Sequence, residues 1–476
     1  MTLRRQFVHG LKWSALGKTL SQIVSWGITI MVIRLLSPAD YGLLAMAMMV
    51  ITLLNHLNDL GLGSALVQAK EIDDRQCGAI FGLLLILGAS LSGLLALLAP
   101  LLAWFFEEPR LTLVLGVAGL GFLITALGTV PESLLRREMN FKALAVTDMA
   151  NVLCGSLVTL VLAWQGFGVW ALVLGNLAGM LMRVAVLQMQ SARRVSPNLD
   201  FGACKSFLGF GGYLTASRFA WWFMSQADIL IAAKLLGKEA LGLYSVALNL
   251  ASLPMDKAMS IINQVTFSAV SKIQDQNGAA RKGILEGLGW LGYVVLPAVA
   301  GMAVTAPEFV PVILGQGWLG SILPIQLIAL AIPLRMIIAI LATSTMALGR
   351  ADVNFRNTLT GTVIMPVCFL VGVQWGPEGL AASWLVAVPL VFLLNFPRTA
   401  MVTGISALDL LRVYAKPLAA TACMSAAVYL LRQALLGQVN SLAILLMMIV
   451  TGAIVYAICL FAFDKNIRAK IRKHSF

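Results

Sequence analysis

The sequence predicts an all-α polytopic membrane protein, with fourteen transmembrane helices arranged as two pseudo-symmetric six-helix bundles and two C-terminal helices. Three observations carry that expectation. Charge is scarce: of 476 residues, 12% are charged and 59% hydrophobic, and the mean hydropathy is +0.89, whereas soluble domains carry about 25% charge. Uncharged runs reach spanning length. Residues 78–106 read GAIFGLLLILGASLSGLLALLAPLLAWFF without one charge, and about 20 apolar residues cross a bilayer. One passage is also written twice, as RLLSPADYGLLAMA at 34–47 and KLLGKEALGLYSVA at 234–247, 200 positions apart.

The spans fall in order at 10–33, 41–64, 78–103, 111–131, 144–164, 167–189, 207–233, 239–263, 284–306, 320–348, 358–375, 378–397, 415–436 and 441–463. The first follows MTLRRQFVHGLKW, which looks like the start of a signal peptide. The apolar region after it runs too long, and no small-x-small cleavage site precedes polar sequence, so it reads as an uncleaved span. The fifth and sixth are parted by little more than Gln165-Gly166. The seventh and eighth carry the second copy of the doubled passage, at the outer turn where the first and second carry the first. EMNFK at 138–142 is echoed by DVNFR at 352–356, and WQGFGVWALV at 164–173 by WGPEGLAASW at 375–384, so the second six spans repeat the first six. The last two have no counterpart. The expected organisation is a first lobe at 1–206, a second at 207–400, and two extra helices with a basic tail at 401–476. An even number of spans per lobe gives both lobes one orientation, the parallel-repeat plan of transporters that bind substrate between halves.

Lys and Arg accumulate in cytoplasmic loops. With the N-terminus inside, the inside segments hold 24 of them, including Arg4, Arg5, Arg136, Arg137, Arg193, Arg194, Arg281 and Arg472. The outside turns hold only Arg34, Arg110, Lys234, Lys238 and Arg432. Both termini are therefore expected in the cytoplasm. The net charge of +13 is explained by orientation and by anionic headgroups, and needs no nucleic-acid partner. The six cysteines, Cys77, Cys154, Cys204, Cys368, Cys423 and Cys459, sit in spans or at inside ends without a C-x-x-C, which argues against disulfides.

Enzyme motifs fail. KWSALGKT at 12–19 approaches the phosphate loop but has Lys12 where the first glycine belongs, and it lies inside a span. Three histidines, His9, His56 and His474, cannot make a His-rich zinc site. No cofactor is expected, and any driving force is an ion gradient, the membrane potential or the substrate gradient.

An ionisable side chain at the bilayer centre costs about 2.5–3.5 kcal/mol on insertion scales, so it faces an interior or a wet cavity. The deep candidates are Lys18, His56, Asp59, Asp148, Arg183, Arg218, Asp228, Asp256, Lys257, Glu286 and Arg335. Ser14, Lys18, Ser21 or Gln22, Ser25 and Thr29 recur every three or four residues, one polar stripe down the first helix. Arg218, Trp222, Ser225 and Asp228 form the matching stripe on the seventh, with Lys18 and Ser25 aligned to Arg218 and Ser225. Two equivalent cations facing a common lumen would receive an anionic headgroup. Blander readings stand beside this one. Arg183 and Glu286 lie near span ends and can snorkel; Asp148 can cap a helix or pair with Lys142. Asp256 and Lys257 can neutralise other partners in the bundle, and Lys18 and Arg218 can form static bridges with Asp59 and Asp228. GNLAG at 175–179 fits the close-packing G-x-x-x-G pattern, though 42 glycines make that match common.

DYGLL at 40–44, NDLGLGSALVQ at 58–68, TFSAVSKIQD at 266–275 and GQGWLGSILPIQLIAL at 315–330 carry a resemblance. The chain resembles the polysaccharide-transporter branch of the multidrug/oligosaccharidyl-lipid/polysaccharide exporter superfamily, and within it the colanic-acid-type exporters, lipid-linked repeat-unit flippases. It departs from that pattern at Ser268, where proline is expected. The resemblance implies flipping of an undecaprenyl-diphosphate-linked oligosaccharide from the inner to the outer leaflet of a bacterial inner membrane, by alternating access through a cationic cavity. On that reading Lys18, Arg218, Lys257 and Arg335 meet the diphosphate, and Gln22, Ser25, Ser225, Trp26, Trp221 and Trp222 meet diphosphate or sugar. Asp59, Asp228 and His56 pair with those charges or carry a coupling H+ or Na+. Membrane lipids, and a polysaccharide polymerase in the same membrane, are the expected partners. A cation-coupled multidrug exporter is the alternative within transport, and a membrane glycosyltransferase or polymerase for lipid-linked sugars the alternative from another class. The latter usually needs a sizeable outside loop, and no outside loop here exceeds about ten residues.

Overall fold

The computed structural model describes Gln22 and residues 24–463, apart from 59–61, 69–72, 192–194, 199, 201–211 and 273–276. Side chains at 56–58, 64–65, 68, 212–220, 260–272, 277 and 279 also lie outside the described set. Among the described residues every regular element is a helix: α1 (Val24–Leu35), α2 (Pro38–Asn58), α3 (Leu62–Gln68), α4 (Asp74–Phe105), α5 (Arg110–Ala118), α6 (Leu120–Arg137), α7 (Phe141–Trp164) and α8 (Val169–Gln190). There follow α9 (Gly212–Leu235), α10 (Gly237–Lys272), α11 (Asn277–Phe309), α12 (Ile322–Ala347), α13 (Ala351–Gly372), α14 (Gly376–Thr403), α15 (Ala407–Leu435) and α16 (Ser441–Phe463), with short π and 3-10 turns around Val310–Leu314, Gln316–Ser321 and Val373–Trp375. Ten stretches of these are long and apolar enough to cross a membrane. This is a multi-span helical membrane protein.

Helices begin where short polar side chains can take the orphan N–H groups of a first turn. Asp73 accepts from the Gln76 amide at 2.7 Å, and Asn140 from the Ala143 amide at 3.1 Å. Ser406 and Asp409 form a reciprocal capping box at the start of α15. The turn between α7 and α8 falls where expected, with Gly166 and Gly168 at positive φ of 82° and 57°, a conformation that suits glycine.

Three details depart from the expected spans; the described residues of the second span fall in α2 and α3, on either side of 59–61. The fourth divides at Gly119 into α5 and α6, where the Ser92 hydroxyl donates to the Gly119 carbonyl at 2.7 Å. Helices also outrun their apolar windows. The 36 residues of α10 reach about 54 Å at 1.5 Å per residue, against a hydrocarbon layer of about 30 Å, because hydropathy marks the edge of the apolar layer and not the end of the helix. Finally, the EMNFK and DVNFR echo does not mark equivalent positions. Asn140 caps α7 from outside, whereas Asn354 lies inside α13.

The chain divides into two compact units, Met1–Trp222 with Gly237–Gly242, and Phe223–Leu236 with Leu243–Phe476. In the first unit α7 runs along α8 at a glycine crossing. A Cβ on Gly175 would overlap Thr159 Oγ1 and sit 3.0 Å from the Gly155 carbonyl, and one on Gly179 would lie 2.8 Å from the Asn151 carbonyl. GNLAG is thus a close-packing motif. Arg183, expected near a helix end with its head in water, is instead tied to Glu132 at 2.9 Å and lies 3.8 Å from Asp148. Glu132 also holds Arg136 at 2.7 Å.

The doubled passage packs on itself inside this unit. A Cβ added to Gly42 would overlap the Lys238 carbonyl, and one added to Gly242 would overlap the Pro38 carbonyl and meet the Gly42 amide nitrogen at 3.1 Å. Gly42 and Gly242, like Pro38 and Lys238, are 200 positions apart. Each copy therefore presses its glycine on the same atom of the other, the reciprocity of a two-fold contact. Lys238 Nζ is also held by Glu108 Oε2 at 2.7 Å, and Asp40 accepts from the Ser37 hydroxyl at 2.6 Å and the Val169 amide at 3.0 Å. The passage recurs because both copies build one seam.

In the second unit α15 is fastened to α11 at both ends. Arg281 reaches Asp409 at 2.7 Å, and Arg432 reaches Glu308, whose side chain is almost fully buried, at 2.6 Å. Between them Met424, Val428, Ile444 and Met448 pack α15 and α16 around Ala300 and Val304 of α11.

Candidate functional site

Five helices of the second unit place side chains in one buried polar cluster. Asp228 of α9 is 1% exposed and accepts at Oδ2 from the Tyr244 hydroxyl of α10 at 2.7 Å. That hydroxyl accepts in turn from Trp384 Nε1 of α14 at 2.7 Å. The Trp384 ring leans on Phe369 of α13 with centroids 5.1 Å apart. Over its other neighbourhood sits Arg335 of α12, with Cζ 4.1 Å from the ring centroid. A desolvated cation held over an indole gains about 2 kcal/mol, so the stack fixes the guanidinium without neutralising it. Asp228 Oδ1 and Arg335 Nη1 are both buried and have no hydrogen-bond partner among the described residues, where no ion pair joins the two side chains. Orphaned polar atoms at this depth are costly, and such groups are kept where they have work to do.

Sequence reasoning selected Asp228 and Arg335 and missed Tyr244 and Trp384. A signal existed. Tyr244 stands where the first copy of the doubled passage has Leu44, and Asp228 where the first helix has Ile28, so the cluster is built at points where the two halves differ.

The other expected residues are distributed as follows. Lys18 and Asp59 lie outside the described residues, as do the side chains of His56 and Arg218. Trp222 is 7% exposed, and its indole N–H donates to the Met49 carbonyl at 3.3 Å, with Thr52 Oγ1 also at 3.3 Å. Trp26 and Trp221 are exposed. Ser225 and Gln22 are half-buried, and Lys257 is exposed beside Asp256 on α10.

Ser25 belongs to a second feature, a chamber of about 330 Å³ inside the first unit, between α1, α2, α7 and α8. Its hydroxyl lies 3.3 Å from that of Ser156. Thr29, Asn151, Thr159 and Asn176 add polar groups to the wall, and among the described residues no Asp, Glu, Lys, Arg or His lines it. A smaller pocket of about 80 Å³ adjoins it through Leu44, Met48, Leu172 and Asn176. No charge search of the sequence finds this chamber, because its polar groups are neutral.

Comparison with known proteins places this architecture. Residues 31–323 match the family described as polysaccharide biosynthesis protein. The chain is 27% identical over 391 residues to the lipopolysaccharide biosynthesis protein WzxC of Escherichia coli (strain K12), covering 81% of this chain and 79% of that protein. Its fold is similar to that of the lipid II flippase MurJ in an inward closed conformation, with a TM-score of 0.75 at 15% identity, covering 96% of this chain and 99% of the other. An inward-facing multidrug resistance MATE family transporter of the MOP superfamily is similar at a TM-score of 0.61 and 15% identity, over 83% of this chain and 100% of the other.

Proposed function

The chain belongs to the polysaccharide biosynthesis protein family, and from that premise we propose that it is a transporter that flips a lipid-linked oligosaccharide, the precursor of a polysaccharide, across the bacterial inner membrane. The cargo is an undecaprenyl-diphosphate-linked repeat unit carried from the cytoplasmic to the periplasmic leaflet. Fourteen spans form two six-helix lobes, 1–206 and 207–400, with 401–476 as an added helix pair and a cytoplasmic tail. The lobes rock to expose a central cationic cavity alternately to each side. Support comes from WzxC, a protein of lipopolysaccharide biosynthesis, and from the fold shared with a lipid II flippase.

One observation carries the mechanism: Arg335, a fixed cation within an apolar helix, keeps a guanidinium nitrogen without a hydrogen-bond partner among the described residues. A diphosphate is the ligand that such a group receives best, since charge-assisted hydrogen bonds to phosphate are about twice as strong as neutral ones. Lys18, Arg218 and Lys257 complete the cationic set, and Gln22, Ser25, Ser225, Trp26, Trp221 and Trp222 meet diphosphate or sugar. Asp228, with Asp59 and His56, balances these cations between cargoes or takes up a coupling H+ or Na+. A polysaccharide polymerase in the same membrane consumes the flipped unit.

Glutamine at Lys18 or Arg218 tests this reading. In proteoliposomes loaded with an undecaprenyl-diphosphate oligosaccharide, K18Q and R218Q are expected to lose transport at least about tenfold while melting as the wild type does. Wild-type rates in both variants would refute the cationic cavity.

A further inference from the structure

The chamber of the first unit has a chemistry unlike that of the buried Arg335 cluster. The described residues of its walls carry hydroxyls and carboxamides and no formal charge. Asn151 of α7 and Asn176 of α8 line it, and neither side chain makes a hydrogen bond among the described residues. A carboxamide offers two N–H donors and a carbonyl acceptor with two lone pairs. Asn176 is exposed and Asn151 half-buried on this wall, so both carboxamides are open to a polar ligand that enters the space. Gly155, Gly175 and Gly179, which bring α7 and α8 into close contact, also form part of the wall.

The lining discriminates between ligand classes. A diphosphate needs cations, and the described wall residues include none. A coupling H+ needs a carboxylate or a histidine, and the described wall includes neither; Na+, which neutral oxygens can hold, would leave the carboxamide N–H groups unmatched. A lipid chain would leave both carboxamides unmatched. A neutral polyhydroxylated group satisfies them, because each hydroxyl both donates and accepts. At about 330 Å³ the chamber sits at the small end of ligand sites, which commonly span about 300–1,000 Å³.

We propose that this chamber is a glycosyl subsite, in which Asn151, Asn176 and the Ser25–Ser156 hydroxyl pair read a neutral sugar of the cargo. The proposal rests on the flippase reading and divides its labour: charged residues hold the diphosphate, and the uncharged chamber of the first unit selects the glycan. Selection by neutral hydrogen bonds follows from their geometry, since a site that expects a hydroxyl leaves buried groups unpaired when it is missing.

The test compares two probes on purified full-length protein in nanodiscs: undecaprenyl diphosphate, and the same lipid carrying one neutral hexose. The wild type is expected to bind the glycosylated lipid more tightly. Asn151→Leu and Asn176→Leu are each expected to weaken that binding about tenfold, the worth of a hydrogen bond or two, and to leave binding of the bare lipid diphosphate unchanged. Asn151→Ser and Asn176→Ser, which keep a polar group and remove bulk, are expected to retain part of the preference and to show that the fold survives. Equal loss for both lipids, or no loss for either, in variants that melt normally would overturn the subsite. A wild type that binds the bare lipid but has no preference for the hexose overturns the subsite and leaves the flippase reading standing. A wild type that binds neither lipid overturns both.

Discussion

Gly42→Ala and Gly242→Ala are each expected to abolish transport and to lower the melting temperature of the purified protein. In both cases the added Cβ overlaps a backbone carbonyl, that of Lys238 or of Pro38, and a carbonyl in the first turn of a helix cannot step aside as a flexible side chain would. Forcing one methyl into a packed contact costs about 1–3 kcal/mol even where side chains relax; here two helix starts must separate. Gly27→Ala is the control, since a Cβ there meets nothing within 4 Å, and it is expected to behave as the wild type. The double variant is expected to fall short of the summed losses, because one methyl already opens the space that the second would enter. Additive losses, or normal transport in either single variant, would show that the doubled passage does not form a working seam.

Asp228→Asn is expected to have the second large effect. The substitution keeps size and an acceptor for the Tyr244 hydroxyl, which lies 2.7 Å from Oδ2, and removes only the charge. Arg335, stacked on Trp384 at 4.1 Å, then has no opposite charge from Asp228 in its buried cluster. Removing one of two opposite charges buried in one cluster leaves the other uncompensated, whereas replacing both with groups that carry no charge removes that penalty. The stability order expected from thermal melting is therefore wild type above D228N, with the double variant D228N/R335M recovering part of the loss. Transport is expected to be lost in both. A D228N protein that melts and transports normally would mean that the two charges ignore each other.

Much of the fold is legible in the sequence for a simple reason: lipid imposes one-dimensional constraints. Residues 441–463 read as a span, and α16 occupies Ser441–Phe463. Between 164 and 169 a Gly-rich turn reads as a break, and the chain breaks there. The doubled passage, visible as letters, turns out to be a contact. What stayed hidden depends on three-dimensional neighbours. The break at Gly119 involves a hydroxyl from Ser92, 27 positions earlier. Tyr244 and Trp384 meet across 140 positions, with no spacing that announces it. Asn151 and Asn176 escape any search for intramembrane charge, because they carry none and their significance lies in a cavity wall. Arg183 looked like a helix-end residue free to reach water, and only the placement of Glu132 shows that it is paired.

Purified protein reconstituted into liposomes, with an undecaprenyl-diphosphate oligosaccharide placed in one leaflet, offers the most direct test of transport. A membrane-impermeant oxidant reads how much sugar has reached the other leaflet. Sugar crossing well above the protein-free rate, with the oligosaccharide intact and unextended, is the expected result. Crossing no faster than in empty liposomes, under an imposed proton or sodium gradient as well as without one, would contradict the flippase outright.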